Sequence, residues 1–184
     1  YMIFTSGSTG TPKGACLSRH NLGTFVRAMK DVYAMDETDR CLQCFDLTFD
    51  LSVMSFVLPL TVGACAYTVP YNVVKYIYVA QLLEEQQLTF SMMTPSVILY
   101  LQPYFKELHF PAMRCSMFAG EALTEDLALG WAKCLPNAMI VNSYGPTETT
   151  IIMSSYLVNR SGNNLSHNGI LSLGKDMWDT ETII

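Results

Sequence analysis

Tyr1-Met2-Ile3-Phe4-Thr5-Ser6-Gly7-Ser8-Thr9-Gly10-Thr11-Pro12-Lys13-Gly14 opens the chain and decides how the rest is read. Four hydroxyl side chains and two glycines fall within residues 5–10, and a lysine follows at position 13. The apolar run Met2-Ile3-Phe4 reads as the end of a buried strand. A strand that stops at Gly, Ser and Thr can form a polyphosphate cradle, because glycines let several N–H groups face one anion and hydroxyls add donors. Lys13 supplies a compact positive charge for phosphate oxygens. A flexible Gly/Ser linker is the alternative, but a solvated linker gains nothing from a strand before it or from Pro12-Lys13 after it. The spacing is not that of an NTPase P-loop, in which Lys-Ser/Thr directly follows the last glycine. Here Thr11-Pro12 intervene. A near-match at Gly169-Ile170-Leu171-Ser172-Leu173-Gly174-Lys175-Asp176 puts a carboxylate where the hydroxyl belongs, and reads as chance.

Composition narrows the class. Of 184 residues, 50% are apolar and 15% charged, which fits one domain with a large core rather than a disordered chain. A net charge of −5 leaves no basic field for nucleic acid. No apolar run reaches the roughly 18–20 residues of a membrane span, and no basic leader precedes an apolar stretch at the start. Cys41-Leu42-Gln43-Cys44 has metal-ligand spacing, but no second Cys or His pair matches it, so zinc is not expected. Most of the six cysteines sit in apolar surroundings and read as small hydrophobes, and a reducing cytoplasm is the simplest setting. Tyr1 begins inside a strand, residues 181–184 read as another, and no initiator methionine is present. The chain therefore reads as part of a longer protein.

Strands and helices alternate along the chain. Ser18 is placed to cap a helix reaching about Tyr33. Residues 40–45 read as a strand, and Asp50 opens an apolar helix that Gly63 ends. Strands are expected near residues 64–69, 88–93, 114–118, 138–141 and 151–158. Helices are expected at residues 73–87, after Thr94-Pro95, and after Thr124. This order predicts an α/β fold with a mainly parallel sheet flanked by helices. Ligands of such sheets gather at the carboxyl ends of strands. Residues 5–13, 46–50, 120–121 and 142–148 are polar clusters that follow strands and are expected to share one edge.

Asn142-Ser143-Tyr144-Gly145-Pro146-Thr147-Glu148 is the second informative stretch. Gly145-Pro146 makes a turn. Tyr144 offers a ring for a base to stack on, and Asn142 a donor and an acceptor for adenine. Glu148 is a hard oxygen ligand suited to Mg2+. Taken alone, the segment could equally be an ordinary turn with a helix cap at Thr147.

Together the two stretches resemble signature motifs of the adenylate-forming superfamily. This group includes adenylation domains of nonribosomal peptide synthetases, D-alanine–carrier protein ligase, acyl-CoA synthetases and firefly luciferase. The resemblance covers essentially the whole chain, in the family's motif order. It implies that a carboxylate attacks the α-phosphorus of ATP, giving an acyl-adenylate and pyrophosphate, before a thiol takes the acyl group. By the same resemblance, Thr5, Ser6, Gly7, Ser8, Thr9, Gly10 and Lys13 embrace the β- and γ-phosphates. Gly120, Glu121 and Ala122 flank adenine. Asn142 and Tyr144 hold the base, Ser143, Gly145 and Pro146 belong with them to the ATP-binding set, and Ile151 lines the nucleotide pocket. Thr147 contacts the α-phosphate and Glu148 binds magnesium. Lys13, Thr147 and Glu148 form the implied catalytic set.

Asp50 matches the aspartate with which amino-acid-activating members pair the substrate's α-ammonium. A buried carboxylate facing a cation gains far more than one in water. A helix N-cap is the alternative role, and the two can coexist. Phe49-Asp50-Leu51-Ser52-Val53-Met54 and Phe118-Ala119-Gly120-Glu121-Ala122-Leu123 are most similar to D-alanine–carrier protein ligase. Met54 and Phe118 are expected to crowd the substrate pocket beside Ala119 and favour a small side chain. That ligase usually has cysteine where Ala119 stands, which leaves D-alanine open against other small amino acids. A carrier protein with a phosphopantetheine thiol is the implied acceptor. Acyl-CoA synthesis and a non-catalytic nucleotide-binding piece are the competing readings. No downstream ribose aspartate, hinge or lysine-bearing C-terminal domain is recognisable in residues 1–184. The expectation is thus part of the large N-terminal domain, poorly active alone.

Overall fold

The computed structural model describes residues 1–6, 10–177 and 181. Gly7, Ser8 and Thr9, and the strand expected at Ile183-Ile184, lie outside the described residues.

The chain opens on two short strands, β1 (Met2–Thr5) and β2 (Lys13–Cys16), paired antiparallel with Thr5 opposite Lys13. This differs from the buried strand expected for Met2-Ile3-Phe4. Ile3 is buried, whereas Met2 and Phe4 are 55% and 67% exposed. A two-stranded ribbon covers only one of its faces, so alternate residues face outward.

Helix α1 (Arg19–Tyr33) starts where Ser18 was expected to cap it. The Ser18 hydroxyl accepts from Asn21 N at 3.1 Å, and Asn21 Oδ1 accepts from Ser18 N at 3.1 Å. This reciprocal box satisfies two donors that the helix cannot. Next come β3 (Arg40–Gln43), α2 (Asp50–Val62), β4 (Cys65–Thr68), α3 (Lys75–Glu85), β5 (Phe90–Met93) and α4 (Pro95–Leu101). They are followed by β6 (Cys115–Phe118), α5 (Glu125–Cys134), β7 (Met139–Tyr144) and β8 (Ser154–Leu157). Two-residue strands β9 (Ser166–His167), β10 (Ile170–Leu171) and β11 (Lys175–Asp176) complete the order. Phe49, not Asp50, occupies the N-cap of α2, so Asp50 is its first helical residue. The 147–149 segment is a single 3-10 turn capped by Pro146 with no side-chain cap bond, so Thr147 is not a helix cap.

The main sheet has seven strands in the order β11-β8-β7-β6-β5-β3-β4. Strands β4, β3, β5, β6 and β7 run parallel, and β8 and β11 add antiparallel to the edge. Residues of β5 and β6 are buried throughout, as strands covered on both faces must be. Alternation then sorts side chains between two cores. Leu42, Met93, Phe118 and Ile140 pack with α3, α4 and α5 on one face. Cys41, Met92, Met117, Ala119 and Val141 pack with α1 and α2 on the other.

Strand order reverses between β3 and β5. From β3 the chain steps outward to β4, then returns to build β5, β6 and β7 on the other side. The helices that leave the two strands diverge to opposite faces, α2 to one and α4 to the other. Such a switch point leaves a crevice beyond the carboxyl ends of the strands, where ligands of open α/β sheets bind.

Candidate functional site

The α2 side of that crevice is prepared by Asp46, whose Oδ1 accepts from Thr48 N at 2.9 Å and Thr48 Oγ1 at 2.8 Å. Its Oδ2 accepts from the Tyr71 hydroxyl at 2.6 Å. These bonds, Tyr71 first, hold the Asp46 carboxyl down at about 2. They fix the turn that feeds Asp50 into the first turn of α2.

Asp50 is only 8% exposed, and its Oδ2 has no hydrogen-bond partner. Burial pushes its carboxyl above the ordinary aspartate range, against the opposing pull of the Thr147 side chain and nearby backbone N–H groups. The Glu148 carboxylate adds to the rise. Burial and the Asp50 charge also push the Tyr1 phenol up to about 12, which sets Tyr1 beside this carboxylate. Ser143 is the other buried residue with a partnerless oxygen among the described residues. Strand alternation puts it on the face of Val141, hence on the α2 side with Asp50.

Met54 and Ala119 lie together in the core beneath α2. Phe118 does not join them. It belongs to the opposite core, and Met117, which the sequence reading passed over, stands on the Met54 face instead. The physical reason is the two-residue period of β6: if Ala119 faces α2, Phe118 cannot.

A second group of the expected residues borders one cleft. Gly120, Glu121 and Ala122 share an open cleft of about 520 Å3 with Asn142, Ser143, Tyr144 and Gly145. Tyr144 ends β7 with its ring 45% exposed. Asn142 is buried, and its Nδ2 donates to Ser172 O at 3.0 Å. The opposite wall is Ile170, Leu171 and Leu173, unforeseen from the sequence. These residues belong to the β9–β10 hairpin, bonded to the main body through Glu125 N to Gly169 O and Leu171 N to Leu123 O. Its turn is Asn168-Gly169, with φ of 49° and 77°. Asn-Gly is a strong two-residue hairpin signal that was available in the sequence. The Gly169–Asp176 stretch thus forms short strands and turns.

The first motif meets the second where Thr5 Oγ1 donates to Glu148 Oε1 at 3.5 Å. Lys13, directly opposite Thr5 on the ribbon, is exposed. Glu148 is also exposed, whereas Asp50 is buried. Beyond it, Thr150 and Ile151 take φ of 70° and 75°, and Ile152 N bonds Thr150 O at 2.9 Å across a γ-turn. Two β-branched residues with positive φ are strained. The turn folds so tightly over Gly145 that a Cβ there would lie 2.4 Å from Ile151 O. Ile151 is buried beneath the turn with the α2-face core and does not line the cleft beside Tyr144.

Glu121 was expected beside adenine. Both of its oxygens are occupied by Ser96, which donates from N at 2.9 Å and from Oγ at 3.0 Å. All six cysteines are free. Cys41, Cys44, Cys115 and Cys134 are buried, and no group of metal-ligating side chains occurs among the described residues. No helix among the described residues is long and apolar enough to cross a membrane.

The profile of the family described as AMP-binding enzyme matches residues 1–184. The D-alanine–D-alanyl carrier protein ligase of Lactiplantibacillus plantarum is 33% identical over 190 aligned positions, covering 100% of this chain and 37% of that protein. Chondramide synthase of Chondromyces crocatus is 37% identical over 154 positions, covering 82% of this chain and 4% of that protein. The Vibrio cholerae adenylation domain AlmE, solved in complex with glycyl-adenosine-5'-phosphate, superimposes with a TM-score of 0.84 at 35% identity. It covers 96% of this chain, which spans 32% of that one.

Proposed function

The chain belongs to the AMP-binding enzyme family, and from that premise we propose that it forms part of the active site of an enzyme that adenylates a small amino acid for transfer to a carrier-protein thiol. The observation that carries this reading is Asp50: a buried carboxylate with an unpartnered oxygen at the switch-point crevice. An unpaired buried charge is costly, and a substrate ammonium relieves that cost. A fatty acid offers it nothing.

With the ammonium on Asp50, the substrate carboxylate is directed toward Thr147, which contacts Asp50. A carboxylate oxygen attacks the α-phosphorus, the bond to the bridging oxygen breaks, and pyrophosphate leaves. The chain's contribution is positioning and charge stabilisation. Thr5, Ser6, Gly10 and Lys13 grip the β- and γ-phosphates, together with the residues between them. Thr147 holds the α-phosphate. Tyr144 stacks on the base against the Gly120–Ala122 backbone. Ser143 adds a hydroxyl on the amino-acid side. Met54 and Met117 limit the side chain to a small one, in keeping with the D-alanine and glycyl chemistry named for two of the relatives.

Glu148 suits Mg2+, which uses one or two carboxylates plus substrate phosphates and keeps several waters. Bound there, the ion would neutralise phosphate charge. A phosphopantetheine thiol then displaces AMP from the acyl carbon. The test is ATP–pyrophosphate exchange by the longest native polypeptide containing this chain, with glycine, D-alanine, L-alanine, larger amino acids and fatty acids. Exchange with small amino acids, lost in Asp50→Ala, is expected. Exchange with fatty acids alone, or ATP binding without any exchange, would overturn the reading.

A further inference from the structure

The loop after β6 and the first turn of α4 are fastened to each other by one side chain, Glu121. Pro95 has no N–H, so Ser96 N is the first backbone donor that α4 offers. The carboxylate takes that donor at 2.9 Å and the Ser96 hydroxyl at 3.0 Å. The same hydroxyl lies 2.9 Å from Thr94 Oγ1, which extends the link to the end of β5. A carboxylate at a helix N-terminus satisfies an otherwise unpaired donor and complements the helix dipole.

Gly120, the residue before Glu121, is exposed and lies between Leu51 of α2 and Thr94 at the end of β5. A Cβ on Gly120 would lie 3.5 Å from Leu51 Cδ1 and 3.7 Å from Thr94 Cγ2, ordinary packing distances. Leu51 adjoins Asp50 on α2. The Gly120–Ala122 backbone therefore runs close to the Asp50 side and is tied to α4 by the Glu121 bonds. It is also a wall of the base cleft.

We propose that Glu121 is a positioning residue: by binding Ser96 it fixes the Gly120–Ala122 wall across the switch-point crevice, and so sets the nucleotide cleft and the Asp50 subsite at a working separation. Both oxygens are engaged, so Glu121 acts through the wall rather than by touching the base. The inference rests on the adenylation reading above and adds a role for Ser96, which no motif marked.

The experiment uses Ser96→Ala, Glu121→Gln, Glu121→Ala and the Ser96→Ala/Glu121→Ala double variant of the native polypeptide. ATP–pyrophosphate exchange is read as separate KM and kcat, and AMP affinity by calorimetry. Loss of one net hydrogen bond corresponds to about a fivefold change, and loss of the charged clamp to about tenfold or more. Ser96→Ala should raise KM for ATP and for the amino acid by about fivefold, and Glu121→Ala by about tenfold or more. AMP affinity should fall in step. The double variant should be no worse than Glu121→Ala, Glu121→Gln should be intermediate, and kcat should change little.

An unchanged KM in Ser96→Ala beside a large effect of Glu121→Ala would mean that Glu121 touches the nucleotide directly, and would overturn the proposal. So would variants that only melt earlier, with KM intact. An unaltered protein that exchanges no substrate would sink the adenylation reading and this clamp with it; an active protein indifferent to both single changes would sink the clamp alone.

Discussion

Asp50 sets fold stability against recognition at a single oxygen. Its carboxyl is raised by burial, so the folded chain is stabilised by the protonated form, fully so below the ordinary 3.8, and loses that contribution as pH rises through the raised value. At neutral pH the charge is therefore a cost of folding. Asp50→Asn should melt higher than the unaltered chain at pH 7, by roughly 2–4 °C per kcal/mol relieved. The advantage should shrink as the pH falls toward 4, and amino-acid-dependent exchange should be abolished. Thermal melts at several pH values check the first part; a variant less stable at pH 7 would contradict it. Gly145 makes the opposite demand, because the Ile151 backbone leaves no room for a Cβ. Gly145→Ala should destabilise by about 1–3 kcal/mol through overpacking, and should weaken AMP binding by displacing the 147–149 turn. Denaturant titration and calorimetry measure the two effects.

The elements themselves were largely legible in the sequence. Long apolar runs closed by Gly63 or opened by Thr94-Pro95 gave the helices, and the strands fell between them. Two misreadings share one physical origin, the two-residue period of a strand. Met2-Ile3-Phe4 reads as the end of a buried strand although only Ile3 is buried, and Phe118, expected beside Met54, faces the opposite core. Composition alone does not say which parity faces which layer. The β9–β10 hairpin turns on Asn168-Gly169, a local turn signal that the glycines and lysine of residues 169–176 overlay in the sequence. That turn needs positive φ at both residues, and open space surrounds Gly169, so its replacement costs conformation only. Gly169→Ala should cost about 1–2 kcal/mol and raise the AMP dissociation constant by loosening the Ile170–Leu171 wall. An unchanged dissociation constant would show that this wall does not bear on the base. The Glu121–Ser96 clamp was not legible at all, since it joins two loops from different strands.

Across the whole molecule, the crevice is lined from both sheet faces yet remains open beside Tyr144 and Glu148. Water reaches the place where pyrophosphate would leave, which weakens every charge interaction there. The 184-residue chain expressed alone is expected to bind AMP but to exchange pyrophosphate more slowly than the native polypeptide; equal rates would refute this. The cysteines offer a way to watch the site. Burial pushes the Cys41, Cys44 and Cys115 thiols up to about 12 and Cys134 to about 11, so they resist alkylation in the folded state. Cys16 and Cys65 are exposed. Cys16 shares the short ribbon strand with Lys13, while Cys65 begins β4 at the far rim of the sheet. Cys16, opposite Met2, sits at the other end of the ribbon from the Thr5–Lys13 pair, so the chain carries a native pair of attachment points for a fluorophore, one on the ribbon and one remote from it, and a dye on the first can report movement of the ribbon while a dye on the second serves as its silent reference.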